Sequence, residues 1–135
     1  MKKLIIILSL VAAPIAVLAL TLVDTIPPRS LTATRMMVIK RRVMQYAHAH
    51  SELPHSMTGL PVMQGYDNSI RDGWGRDITL EVSSSGIVTL RSLGREGVVG
   101  GSGEDADMIA SFPAHDSQGG WSDEMIQWSH DPFSR

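Results

Sequence analysis

The chain contains no cysteine, so neither a disulfide nor a thiolate metal site can form within it. It has no basic surplus. Twelve Lys and Arg stand against 14 Asp and Glu, a formal net charge of −2, which argues against a nucleic-acid binder. It lacks a His-Glu-x-x-His pattern. His48, His50 and His55 do not replace one, because His48 and His50 are two apart and point in different directions on a helix; they read as a frayed helix end. No nucleophile, base and acid set is visible, which sets an enzyme last among the readings. At 135 residues, with a long apolar start, the chain has room for one small domain. A small domain without disulfides needs another staple, and a bound cation is one of the usual substitutes.

What is present begins with an apolar run from Leu4 to Val23, preceded by Lys2 and Lys3. About 20 apolar residues are enough to span a bilayer as a helix. The lysines favour a cytoplasmic N-terminus, which puts everything after Asp24 outside. Pro14 is tolerated within such a span. A cleaved signal peptide is the competing reading, with Val17-Leu18-Ala19 near a cut. The retained anchor is preferred because the apolar run continues past that site. Residues 1–29 are therefore expected to be a membrane anchor and a proline-rich hinge.

Pro27-Pro28 interrupts the chain, since neither proline fits a helix interior. Ser30 is the expected N-cap of an amphipathic helix running from Leu31 to about His50. Its apolar face is Met36, Ile39, Val43 and Tyr46, and its basic residues read as a solvated face or a contact for anionic lipid heads. Leu53-Pro54 ends the helix and a connecting loop follows. In Asp72-Gly73-Trp74-Gly75 the glycines let the chain bend while Trp74 tucks beneath a sheet. Ile78 to Val82 and Ile87 to Arg91 alternate apolar and polar around Ser83–Gly86, which predicts a β-hairpin with Val88 and Leu90 on one side. After Met108-Ile109 the chain turns polar, and weak order is expected around Trp121, Trp128 and Phe133.

The hairpin leads into Ser92-Leu93-Gly94-Arg95-Glu96-Gly97-Val98-Val99-Gly100-Gly101-Ser102-Gly103-Glu104-Asp105-Ala106-Asp107. Glycines allow this stretch to turn tightly. Carbonyls and carboxylates from its two ends can then surround one point, which suits Ca²⁺ before Mg²⁺ because Ca²⁺ accepts more oxygens in irregular geometry. The alternative is a solvated surface loop that binds nothing.

The order of these features resembles the major, G-type pseudopilin of type II secretion systems, over roughly Leu4 to Ile109. Asp72-Gly73-Trp74-Gly75 stands where that family usually has Asp-Pro-Trp-Gly, and Ser92-Leu93-Gly94-Arg95-Glu96-Gly97 where it has Ser-Leu-Gly-Ala-Asp-Gly. Gly100-Gly101 and Asp105-Ala106-Asp107 match directly. The resemblance implies an α+β, pilin-like fold: a transmembrane helix, then an amphipathic helix packed on a small antiparallel sheet, with a calcium loop. It implies Ca²⁺ ligands among Glu96, Asp105 and Asp107, with carbonyls from Leu93 and Val98 and with Glu104 as an alternative carboxylate.

The extracytoplasmic domain is expected over residues 30–112, and residues 113–135 as a polar tail. The implied function is a structural, non-catalytic subunit in the bacterial inner membrane, single-pass, with its C-terminal domain periplasmic. Its expected partners are other pseudopilins, inner-membrane secretion proteins and further copies of itself, and no nucleic acid. The chain departs from the family at its start, where it has neither the Gly-Phe-Thr-Leu-Ile-Glu cleavage motif nor an acid within Leu4–Val23. That departure leaves open an anchored domain of the same fold that binds a partner without building a fibre.

Overall fold

The computed structural model describes residues 25–132. The predicted span Leu4–Val23 and the aromatic Phe133 lie outside them. Among the described residues no helix is long and apolar enough to cross a membrane.

One long helix lies on one sheet, an α+β arrangement. The helix, α1, is Pro28–His50. It begins two residues before the expected Ser30 cap, with Pro27 at the N-cap. Proline is favoured in the first helical turn, where its missing N–H would have no helical partner. The pair therefore starts the helix, while Thr25 to Pro27 are not helical. At the other end Ser51 turns left-handed, φ 59°, and donates its N–H to the carbonyl of Ala47, so the helix stops before Leu53-Pro54.

The predicted apolar face is largely the buried one. Ala33, Met36, Ile39, Val43 and Ala47 are all fully buried, in the three-four spacing that puts them on one side. Tyr46 is half-buried and stacks on His50, ring centroids 4.0 Å apart. The basic residues are not simply solvated. Arg42 is buried and donates to the carbonyls of Pro61, Asn68 and Leu60. That burial pulls its guanidinium below its ordinary pKa. Arg35 donates to Asp67 and to the carbonyls of Arg71 and Asp72. These long side chains satisfy the carbonyls of a connecting loop that has little secondary structure of its own.

The sheet has four antiparallel strands in sequence order: β1 (Thr79–Val82), β2 (Ile87–Ser92), β3 (Met108–Pro113) and β4 (Gln127–Trp128). The expected hairpin is β1 and β2, with Leu80 opposite Leu90 and Val82 opposite Val88. Val88 and Leu90 share the buried face with Met108, Ala110 and Phe112 of β3. Alternate residues of a strand face one side, so this face meets the apolar stripe of α1.

The polar C-terminal segment differs from expectation. It is packed on the domain as far as Pro132 rather than weakly ordered. Trp128 and Gln127 pair with Ala110 and Ser111 and cover the middle of the β3 edge that β2 leaves open. Trp121 stacks on His115 with centroids 4.5 Å apart, and the Ser122 N–H donates to the Ala114 carbonyl. An unpaired strand edge has backbone groups that need partners, and this segment supplies them.

Candidate calcium loop and the turn that supports it

The loop enters from the end of β2 at Ser92 and leaves into β3 at Met108, so two hydrogen-bonded neighbours hold its ends together. Its entrance is tied to the turn at Asp72. Asp72 is buried, and every one of its contacts is made. Its Oδ1 accepts the N–H groups of Trp74 and Arg76, each at 2.9 Å. Its Oδ2 accepts the hydroxyl of Ser92 at 2.7 Å. One carboxylate thus closes the Asp72–Arg76 turn and binds it to the first residue of the loop. It is Asp72, not Trp74, that goes deepest: Trp74 is half-buried against the core.

Gly73 lets the turn sit against the start of α1. A Cβ there would lie 2.2 Å from the Pro28 carbonyl oxygen. The Gly73 N–H donates to the Thr32 hydroxyl at 2.8 Å, and that hydroxyl donates to the Pro28 carbonyl at 2.7 Å.

Three arginines brace the loop, two from outside and one from within it. Arg29, in the first turn of α1, donates to the carbonyls of Gly103 and Ala106 at 3.0 and 3.1 Å. Arg76 lies across Gly97 and donates to the Gly94 carbonyl at 3.0 Å. Arg95 grips both carboxylate oxygens of Asp105, at 2.8 and 3.0 Å. Hydrogen bonding from Arg95 holds the Asp105 carboxyl below its usual pKa, and Asp105 raises that of Arg95 in return. A short 3₁₀ turn at Gly103–Asp105 presents these carbonyls.

The expected ligands divide accordingly. A Cβ on Gly101 would sit 2.7 Å from the carbonyl oxygen of Asp105 and 2.9 Å from Oε1 of Glu96. A Cβ on Gly94 would sit 2.6 Å from the same Asp105 carbonyl. Both glycines have positive φ, 68° at Gly94 and 83° at Gly101, which favours glycine for a second reason. At the adjacent residue, the Gly100 N–H donates to Oδ1 of Asp107 at 3.1 Å. The carboxylates of Glu96 and Asp107 and the carbonyl of Asp105 therefore gather at Gly100-Gly101.

These are hard oxygen donors of the kind Ca²⁺ takes, and this part of the set fits it. The Asp105 carboxylate is paired with Arg95, and the Asp105 carbonyl is the oxygen beside Gly94 and Gly101. Leu93 stands at the loop's entrance, half-buried, and Val98 is exposed at its tip. Glu104 is exposed on the 3₁₀ turn. Among the described residues no three His, Cys, Asp or Glu side chains form a metal-binding group. His48, His50 and His55 are exposed and lie away from this loop, His48 facing the edge of Trp121.

The sequence pattern missed Arg29, Arg76 and Asp72. Asp72 had a signal, since an Asp followed by Gly-x-Gly is the side chain that commonly closes a turn onto its own backbone. The arginines had none, because periodicity does not say which carbonyl a long side chain reaches. No protein-family model, curated protein or solved structure matches the chain.

Proposed function

We propose that the chain is a structural, non-catalytic subunit of the pseudopilin type, anchored in the bacterial inner membrane with its domain on the periplasmic side. The observation that carries this reading is the gathering of Glu96, Asp107 and the Asp105 carbonyl at Gly100-Gly101, in a loop joining β2 to β3 beneath one long helix. Together with the Asp72–Ser92 tie, it gives physical roles to the motifs on which the resemblance rests.

In this reading Glu96 and Asp107 would hold Ca²⁺ with the Asp105 carbonyl, and the ion would neutralise two acids that otherwise repel. The chain's own contribution is the frame. Arg29, Arg76 and Arg95 occupy the carbonyls of Gly103, Ala106 and Gly94 and the Asp105 carboxylate, leaving Glu96, Asp107 and the Asp105 carbonyl by the glycine pair.

The test uses the full chain in detergent, melted with calcium and with chelator. Calcium at a hundredfold excess over Kd should add about 2.7 kcal/mol, and Asp107→Asn should remove that gain. Equal melts in both conditions would remove calcium from the proposal. Copurification with other pseudopilins, and a crosslinked ladder in membranes, test the subunit role itself.

A second reading is an anchored domain of this fold that binds a partner without forming a fibre. The feature favouring it is the helix start at Pro28, preceded by the non-helical Thr25–Pro27. A monomer in membranes, with no ladder, is its expected signature.

A further inference from the structure

Arg95 holds Asp105 by both arms of its fork. Nε donates to one carboxylate oxygen at 2.8 Å and Nη2 to the other at 3.0 Å. A guanidinium matches a carboxylate in this way because its donors lie in one plane.

The backbone sets this pair beside the oxygens assigned to the ion. The Arg95 N–H donates to the Glu104 carbonyl at 2.8 Å, so residues 95 and 104 are tied across the loop. The residues that follow them are Glu96 and Asp105. Glu96 Oε1 and the Asp105 carbonyl oxygen lie 2.9 and 2.7 Å from one point, the place a Cβ of Gly101 would take. Asp105 therefore has its backbone oxygen in the cluster and its side chain on Arg95. Glu104 and Glu96 also attract the guanidinium through space.

A positive charge thus already sits among the acids of the loop. It repels a dication that approaches the same acids, and a carboxylate paired with arginine adds no net charge to draw the ion. The number of charged ligands is what tunes a calcium site, so the charge of Asp105 matters whether or not its carboxylate touches the ion. Arg95 is long and 61% exposed, and it can leave Asp105 for water without disturbing the core.

We infer that Arg95 is the loop's built-in counter-ion, which competes with calcium for the charge of Asp105 and so sets the affinity of the site. When calcium is scarce the arginine closes the loop; when calcium is abundant the ion takes over the charge of Asp105 and Arg95 turns to solvent. The inference rests on the calcium reading above and names the residue that regulates that site.

The test is calorimetric titration of the full chain in detergent with calcium, at constant ionic strength, with a melt of each variant to show that it is folded. Arg95→Gln should bind calcium about tenfold more tightly than wild type. At one calcium concentration below saturation its melt should also gain more. Arg95→Lys, which keeps the charge and loses the fork, should fall between the two. Arg95→Gln combined with Asp105→Asn removes both charges and should return to about the wild-type affinity. Equal affinities in wild type and Arg95→Gln overturn the inference and leave the calcium site standing. Binding by Arg95→Gln alone supports the inference and removes calcium from the wild-type reading. If neither binds at about 10 mM calcium, above the range of weak extracellular sites, and both melt cooperatively, the calcium reading fails and the inference fails with it.

Discussion

Two glycine-rich turns lie side by side, and they use acids in opposite ways. The Asp72 turn is closed by one buried carboxylate with every lone-pair direction it needs taken by Trp74, Arg76 and Ser92. The loop from Leu93 to Asp107 keeps its acids at or near the surface and is braced by arginines instead. A buried, saturated acid can only be structural, because opening it would strand its donors. A partly exposed acid held near others can exchange its partner for an ion. The difference separates a buried support from an exposed, arginine-braced loop, although both stretches read simply as glycine with aspartate.

The sharpest way to break that comparison is to remove the buried support. Asp72→Ala leaves two backbone N–H groups and the Ser92 hydroxyl without their acceptor. Hydrogen bonds to a charged group are worth about 1.5–3 kcal/mol each, so a loss of at least about 3 kcal/mol is expected in urea unfolding. Calcium should rescue it at most in part: an ion would not replace these acceptors, although the Asp105 carbonyl packs at Gly94, close to Ser92. Full rescue by calcium would mean that the two turns are not distinct in kind.

Gly73 tests the same support from its outer side, with a smaller effect. The added Cβ of Gly73→Ala meets the Pro28 backbone, which cannot swing aside as a side chain would. Overpacking of this type costs about 1–3 kcal/mol. Proline there, as the pseudopilin pattern usually has, would meet the same clash and lose the N–H that binds Thr32. The glycine at 73 and the helix start at Pro28 therefore go together, because the two backbones touch. The check is a melt of Gly73→Ala; an unchanged midpoint would show that α1 can shift away from the turn at no cost.

The contrast also shows what was legible in the sequence. Periodicity exposed the apolar face of α1 and the β1–β2 hairpin, because both bury one side of a regular repeat. It did not show that Asp105 pairs with Arg95, since spacing does not say which acid an arginine reaches. β3 was hard to see because its buried face uses the small Ala110 beside Met108 and Phe112, within a polar, glycine-rich neighbourhood. β4 is two residues long, too short for any period, and exists because β3 offers it an edge. Arg35 and Arg42 looked like a solvated face, since helical spacing says nothing of the carbonyls that a loop brings within reach.

The smallest expected effect sharpens the exposed side of the comparison. Arg95 holds the folded Asp105 carboxyl below its ordinary value, while in the unfolded chain that carboxyl titrates near an ordinary aspartate, about 3.9. A depressed folded pKa means that the unfolded state takes up a proton first. The pair's stabilisation is therefore complete above the unfolded value and is lost as pH falls through the folded one. Arg95 is exposed and Asp105 partly so, so the effect is modest and screened by salt. Asp67 works in the same direction, lowered by the Ser69 N–H and by Arg35, so the wild-type acid limb contains both. Arg95→Gln isolates the loop's share. Its melting curve should fall below wild type at neutral pH and low salt, and converge with it in strong acid as Asp105 protonates. A gap of constant size across that range would mean that Arg95 acts through packing, and the loop would then resemble the Asp72 turn more closely than its exposure suggests.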